Sequence, residues 1–97
     1  MSKPTPEQIA EWKKAHGEVF IATSAKGDVY ISKPTRPILG LILTKAKTDI
    51  LAAAEVILMN CWLQGDETLK EDGGFKLGLV SQLDAIIETV QVEVKKI

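Results

Sequence analysis

The sequence contains few of the residues that most often carry chemistry. It has one cysteine, Cys61, and one histidine, His16, in 97 residues. A single cysteine excludes an internal disulfide and suits a reducing compartment. His16 has no second histidine or neighbouring cysteine with which to form a zinc site of ordinary ligand number, and a thiol nucleophile would need His16 close to Cys61 in space. We therefore expect no metal, no cofactor and no enzymatic activity.

Long apolar runs are also missing from the sequence. Its most apolar run, PILGLIL at 37–43, is soon followed by Lys45 and Lys47, whereas a membrane-spanning helix needs roughly 20 apolar residues. The first residues, MSKPTPEQ, contain no apolar segment of the kind that secretory signals carry. We therefore expect no membrane contact and a cytoplasmic location.

The charges nearly cancel, with a net charge of −1 at pH 7, but they are unevenly distributed. Residues 1–47 contain eight basic and four acidic side chains, and residues 48–97 contain four basic and nine acidic ones. This polarity either steers a partner or a second copy, or is a chance feature of solvated faces. Nucleic-acid binding is not expected, because it depends on a clustered basic surface.

Aliphatic side chains are what the sequence has in quantity. Apolar residues make up 45% of the chain and aromatic residues only 5%, so Ile, Leu, Val and Ala must form the core. Since domains typically contain about 100–150 residues, we expect a single domain over 1–97.

The first 32 residues predict a helix followed by a hairpin. After a flexible N-terminus at 1–4, a helix is expected over 5–17, because Thr5, Pro6 and Gln8 form a capping-box start and Gly17 suits a helix end. Residues 18–32 predict a two-stranded antiparallel hairpin, since two β-branched or aromatic runs surround the turn SAKGD. Four side chains are expected on its buried face: Val19, Ile21, Val29 and Ile31.

Residues 35–97 predict a mainly helical part. A short helix is expected over 36–45, a strongly apolar helix over 49–64 that ends beside Gly65, and a last helix whose apolar stripe runs from Phe75 to Ile97 with a bend near 88–89. The predicted fold class is α+β: an N-terminal helix, a two-stranded antiparallel hairpin and then a mainly helical C-terminal bundle. Trp62, at the end of the apolar helix, is expected to be largely buried.

Two polar motifs near the last helix are weak. Gly73 and Gly74 could hold an anion at a helix start, but no nucleotide-binding pattern surrounds them, and turn geometry is the better interpretation. Four acidic residues lack the spacing of a calcium-binding loop, so we interpret them as a solvated loop: Asp66, Glu67, Glu71 and Asp72.

The segment 36–45 supplies the candidate protein-binding site. Its apolar residues exceed what one helical face can bury, and an apolar patch rimmed by charges commonly marks an interface. The candidate residues are Arg36, Ile38, Leu39, Ile42, Leu43 and Lys45. We expect the occupant to be another protein or a second copy of the chain.

An ordered set of short motifs is similar to a known class of proteins. The motifs are EWKKAHG at 11–17, KPTR at 33–36, NCWLQGDE at 60–67 and SQL at 81–83. This pattern resembles the tail assembly chaperone-like proteins encoded among bacteriophage and prophage tail genes, over roughly 7–97. The resemblance implies a non-enzymatic helper in the bacterial host cell, which binds tape-measure or tail-tube protein before tail assembly and is absent from the finished particle.

Two other functions remain open from the residues alone. One is a generic homo-oligomeric protein-interaction or regulatory module of bacterial origin, which would have the same composition. The other, ranked far lower, is an enzyme that uses Cys61 or the acidic loop. Neighbouring tail-tube and tape-measure genes would favour the chaperone over the interaction module.

Overall fold

The computed structural model describes residues 3–87 and 92–97. It has the predicted α+β architecture, with one strand more than the sequence indicated. The elements in chain order are α1 (Pro6–His16), β1 (Val19–Ser24), β2 (Gly27–Ser32), α2 (Arg36–Thr48), α3 (Ile50–Asn60), β3 (Trp62–Gly65), a 3-10 helix (Glu67–Glu71), α4 (Gly73–Ser81) and α5 (Leu83–Ile86).

Helix α1 begins and ends where the sequence predicts. The Gln8 N–H donates to Thr5 Oγ1 at 3.1 Å, and the Thr5 N–H donates to Gln8 Oε1 at 2.9 Å, which completes the capping box. Gly17 follows with a φ of 81°, a conformation that glycine adopts at little cost. The predicted flexible segment is described only in part, and there Lys3 is exposed whereas Pro4 is buried.

The predicted hairpin is confirmed. The predicted buried face is right for β2, where Val29 and Ile31 are fully buried, and wrong for β1. Phe20 lies opposite Ile31 and Ala22 opposite Val29, and directly opposite residues share a face. Phe20 and Ala22 therefore belong to the core face, while Ile21 is 51% exposed. The two-residue turn between Ser24 and Gly27 fixes this register, and a slip of one residue would exchange the faces.

The other face of the sheet contacts α1. Tyr30 lies opposite Ile21 in the register, and its ring centroid is 5.9 Å from that of Trp12 in α1. The sheet is thus contacted on both faces, by α1 on this one and by the core on the other.

Strand β3 was not predicted. The apolar helix ends at Asn60 rather than at residue 64, and Trp62–Gly65 pairs antiparallel with β2. Trp62 consequently starts a strand and is only half-buried, with Lys70 Nζ 4.4 Å from its ring centroid. Sequence periodicity could not separate four strand residues from the helix before them, because pairing with β2 decides their conformation.

The core lies between the sheet and the helices. Val29 and Ile31 of β2, Ile42 of α2 and Ile57 of α3 are fully buried there. Phe75 and Leu79 of α4 belong to the same cluster. This aliphatic core agrees with the composition.

The prediction of one last helix through Ile97 is wrong. Helix α4 ends at Ser81, the short α5 ends at Ile86, and residues 92–97 form neither helix nor strand. Glycines at 74 and 78 weaken α4, since glycine has a low helix propensity. The predicted bend near 88–89 lies outside the described residues. Within the described ranges, no helix combines the length and the apolar character that crossing a bilayer requires.

Candidate protein-binding surfaces

Helix α2 places the six candidate residues in three different directions. Ile42 is fully buried and Ile38 packs against the core cluster, so these two residues do not belong to an exposed patch. The reason is geometric, because α2 needs one apolar stripe to pack on α3, and positions 38 and 42 form that stripe.

The remaining candidates separate around the helix. Residues three, four and seven positions apart share one side of a helix, so one side carries Arg36, Leu39, Leu43 and Lys47, which we call the α2 flank. Leu43 is 47% exposed, and Leu39 is half-buried at the border of the packed stripe. Lys45 does not lie on this flank, since two helical steps turn it about 200° from Leu43. It lies beside the exposed Leu41 instead.

A second surface, which the sequence did not indicate, is a groove between the sheet and the last helices. We call it the β1 groove. Its volume is about 690 Å³, and all six residues of β1 line one wall. Residues of α4 and α5 line the other wall, among them Gly74, Phe75, Gly78 and Ile86. Concave, mainly apolar clefts of this size are typical binding sites.

Two glycines keep the α4 wall of the β1 groove open. Gly74 and Gly78 are one helical turn apart, and both line the groove. A Cβ added at Gly78 would meet no atom within 4 Å, while one at Gly74 would lie 3.3 Å from Asp72 Oδ1. Space at Gly78 is therefore free for another side chain. The spacing of these glycines, together with a strand that lacks charge and proline, is the sequence signal for this groove.

Three of the four acidic residues of the predicted loop form helix caps or ion pairs. Asp66 accepts hydrogen bonds from the Thr68 Oγ1–H at 2.7 Å and from the Thr68 N–H at 3.0 Å, and these bonds lower the pKa of its carboxyl. Asp72 caps α4 by accepting from the Phe75 N–H at 2.8 Å. Glu67 pairs with Lys70 at 2.6 Å. In the described part of the chain, no cluster of His, Cys, Asp and Glu has an arrangement suited to a metal ion.

Cys61 and His16 lie in different environments. Cys61 is 3% exposed, and burial raises the pKa of its thiol, although a side-chain contact with Ser32 acts in the opposite direction. A raised thiol pKa disfavours the reactive thiolate. His16 is exposed in the last turn of α1, where a cation suits the helix dipole.

Comparison with known proteins gave no match to any family model, curated protein or solved structure.

Proposed function

We propose that this protein is a non-enzymatic assembly helper of the phage tail assembly chaperone type, which binds tape-measure or tail-tube protein in the cytoplasm of a bacterial host cell. Two observations support the proposal. One is the set of sequence motifs that resembles the tail assembly chaperone-like proteins. The other, which carries it, is the α2 flank, where apolar and basic side chains are exposed together.

The α2 flank fits a partner that presents apolar and acidic groups. Leu39 and Leu43 supply adjacent apolar contacts one helical turn apart. Arg36 precedes them and Lys47 follows them along the same side, and both are exposed. Buried apolar contacts supply binding energy while charges at the rim steer association and select partners. An amphipathic client segment with acidic residues beside its apolar stripe would match both features.

The experiment is co-expression of the chain with tape-measure or tail-tube protein, followed by co-purification and a measured dissociation constant. Leu39→Glu with Leu43→Glu should weaken binding about tenfold or more, which corresponds to ~1.4 kcal/mol. Met59→Glu is the matched control, because Met59 is 81% exposed on α3 and lies off the flank. Unchanged client binding by the folded double variant would refute this role of α2.

A homo-oligomeric interaction module is the second candidate. Exposed apolar side chains at Val92 and Val94, which are 73% and 89% exposed, favour it. Gene neighbourhood separates the two candidates, since flanking tail-tube and tape-measure genes support the assembly helper. Self-association and client binding are compatible if they use different surfaces.

A further inference from the structure

Strand β1 is one of the two edge strands of the sheet, and β3 is the other. The strand order is β1-β2-β3, and among the described strands β1 pairs only with β2. Edge strands of soluble proteins are usually protected by charged residues, proline or bulges. The sequence of β1, VFIATS, contains no charge and no proline, and Ile21 is 51% exposed. β1 is therefore able to accept a further strand.

The β1 groove adds an apolar floor beside this edge. A strand placed next to β1 would direct alternate side chains to the core side of the sheet. Phe20 and Ala22 of β1 point to that side, and Phe75 and Gly78 of α4 line the opposite wall. The free space at Gly78 allows a side chain from the added strand to approach α4 closely.

The segment 92–97, which we call the tail, has the composition of such a strand. Residues 89–94 read TVQVEV, with valines at alternate positions and four β-branched residues in six, a pattern typical of a strand. The tail itself has no regular structure, and its apolar residues Val92, Val94 and Ile97 are all exposed. Transfer of these three aliphatic side chains from water to an apolar surface is favourable.

We propose that the tail of a second copy of this chain binds in the β1 groove and adds a strand to β1. In a single copy, the tail remains exposed although the same molecule offers an open groove and an unprotected edge. If two copies exchange their tails, each tail fills the groove of the other copy and pairs with its β1 edge. The resulting dimer has twofold symmetry. Val92 and Val94 then face α4, and Glu93 faces the opposite side of the sheet.

Light scattering on the full 97-residue chain tests the association. We expect a dimer, with about twice the monomer mass, at micromolar concentration. Val92→Lys with Val94→Lys should raise the dissociation constant about tenfold or more, and Gly78→Leu, which fills the groove, should do the same. Leu77→Lys is the control, because Leu77 is 53% exposed on α4 and is not part of the groove lining.

Cross-linking distinguishes a second copy from the chain's own tail. In a Cys61→Ala background, one chain carries Thr23→Cys and another carries Glu93→Cys, and the mixture is treated with a short bis-maleimide. A product that joins the two different chains supports the exchange. A monomer whose doubly substituted chain links to itself would show that the tail closes its own groove, and would overturn the proposal.

Two further outcomes also overturn the exchange. If the protein is a monomer and forms no cross-link, the groove is a binding site for a client protein instead. If the tail variant and the Gly78→Leu variant both remain dimeric, the dimer forms through another surface. This proposal does not depend on the α2 flank, because no α2 residue is part of the groove lining. Client binding by the tail variants, measured alongside, therefore separates failure of this proposal from failure of the assembly function.

Discussion

Lys26, in the hairpin turn, is bonded to Asp72, the cap of α4. Its Nζ donates to Asp72 Oδ2 at 2.6 Å, and Asp72 also accepts from the Phe75 N–H. These bonds hold the pKa of the Asp72 carboxyl below its usual value. The contact joins the sheet to α4, the two elements that form the walls of the β1 groove.

This contact predicts a pH-dependent contribution to stability. Because folding favours the ionised carboxyl, the contribution is present above the pKa of the unfolded group, about 4, and is lost as pH falls through the lower folded pKa. Asp72→Asn keeps a capping residue but removes the charge. The difference in Tm between wild type and this variant should be largest near about pH 7 and shrink below about pH 4. Thermal melts followed by circular dichroism measure it.

The control for this prediction is Glu71→Gln, one residue away and exposed, which should leave the Tm unchanged at both pH values. Added salt should reduce the effect of Asp72→Asn, since the pair is partly exposed. A difference in Tm that stays constant across the acidic range would contradict the assigned role of the charge.

Substitution by alanine should change the stability of the fold in opposite directions at Gly65 and at Gly40. A Cβ at Gly65 would lie 2.9 Å from Val29 Cγ2 and 3.1 Å from two ring atoms of Trp62, and Val29 is fully buried. Gly65→Ala should therefore destabilise the fold by about 1–3 kcal/mol. Gly40→Ala should stabilise it by about 0.5–1 kcal/mol, because position 40 is helical and open. Urea denaturation gives the change in the free energy of unfolding for each variant. Changes of the same sign at both positions would refute this prediction.

Local chemistry made the first part of the fold predictable. The capping residues Thr5 and Gln8 and the positive-φ glycines Gly17 and Gly27 lie within a few residues of the features they determine. Strand β3 was missed because its conformation depends on pairing with β2, which is distant in sequence.

The end of the chain was ambiguous in the sequence itself. Val90, Val94 and Ile97 follow helical spacing, whereas Val90, Val92 and Val94 alternate as in a strand. In the same way, β1 has apolar residues on both faces, so its pattern did not fix the register. The candidate site was only partly predictable, because the run PILGLIL at 37–43 is apolar on all sides of α2 and does not reveal which residues pack on α3.

Ile42 and Leu43 test whether α2 has one stripe packed in the core and a separate exposed flank. Ile42 is fully buried, while Leu43 is 47% exposed. Ile42→Ala should cost about 2–5 kcal/mol as a core truncation, and Leu43→Ala should change stability by only about 0.5 kcal/mol. Chemical denaturation gives both values. Similar losses for the two variants would place Leu43 in the core and remove it from the α2 flank.

Cys61 should be protected from thiol reagents in the folded protein. Its side chain is 3% exposed, and burial raises the pKa of the thiol above its usual value, so both access and thiolate formation are suppressed. We expect labelling by a disulfide reagent near about pH 8 to be slow in the folded chain and fast in denaturant. Because folding favours the neutral thiol, this group contributes stability below its unfolded pKa of about 8.5 and loses it as pH rises. Cys61→Ala with Met59→Cys, which moves the thiol to a position that is 81% exposed on α3, is the control and should react rapidly while folded. Equal labelling rates for the two proteins would show that Cys61 is accessible, and its assignment to the core would then be wrong.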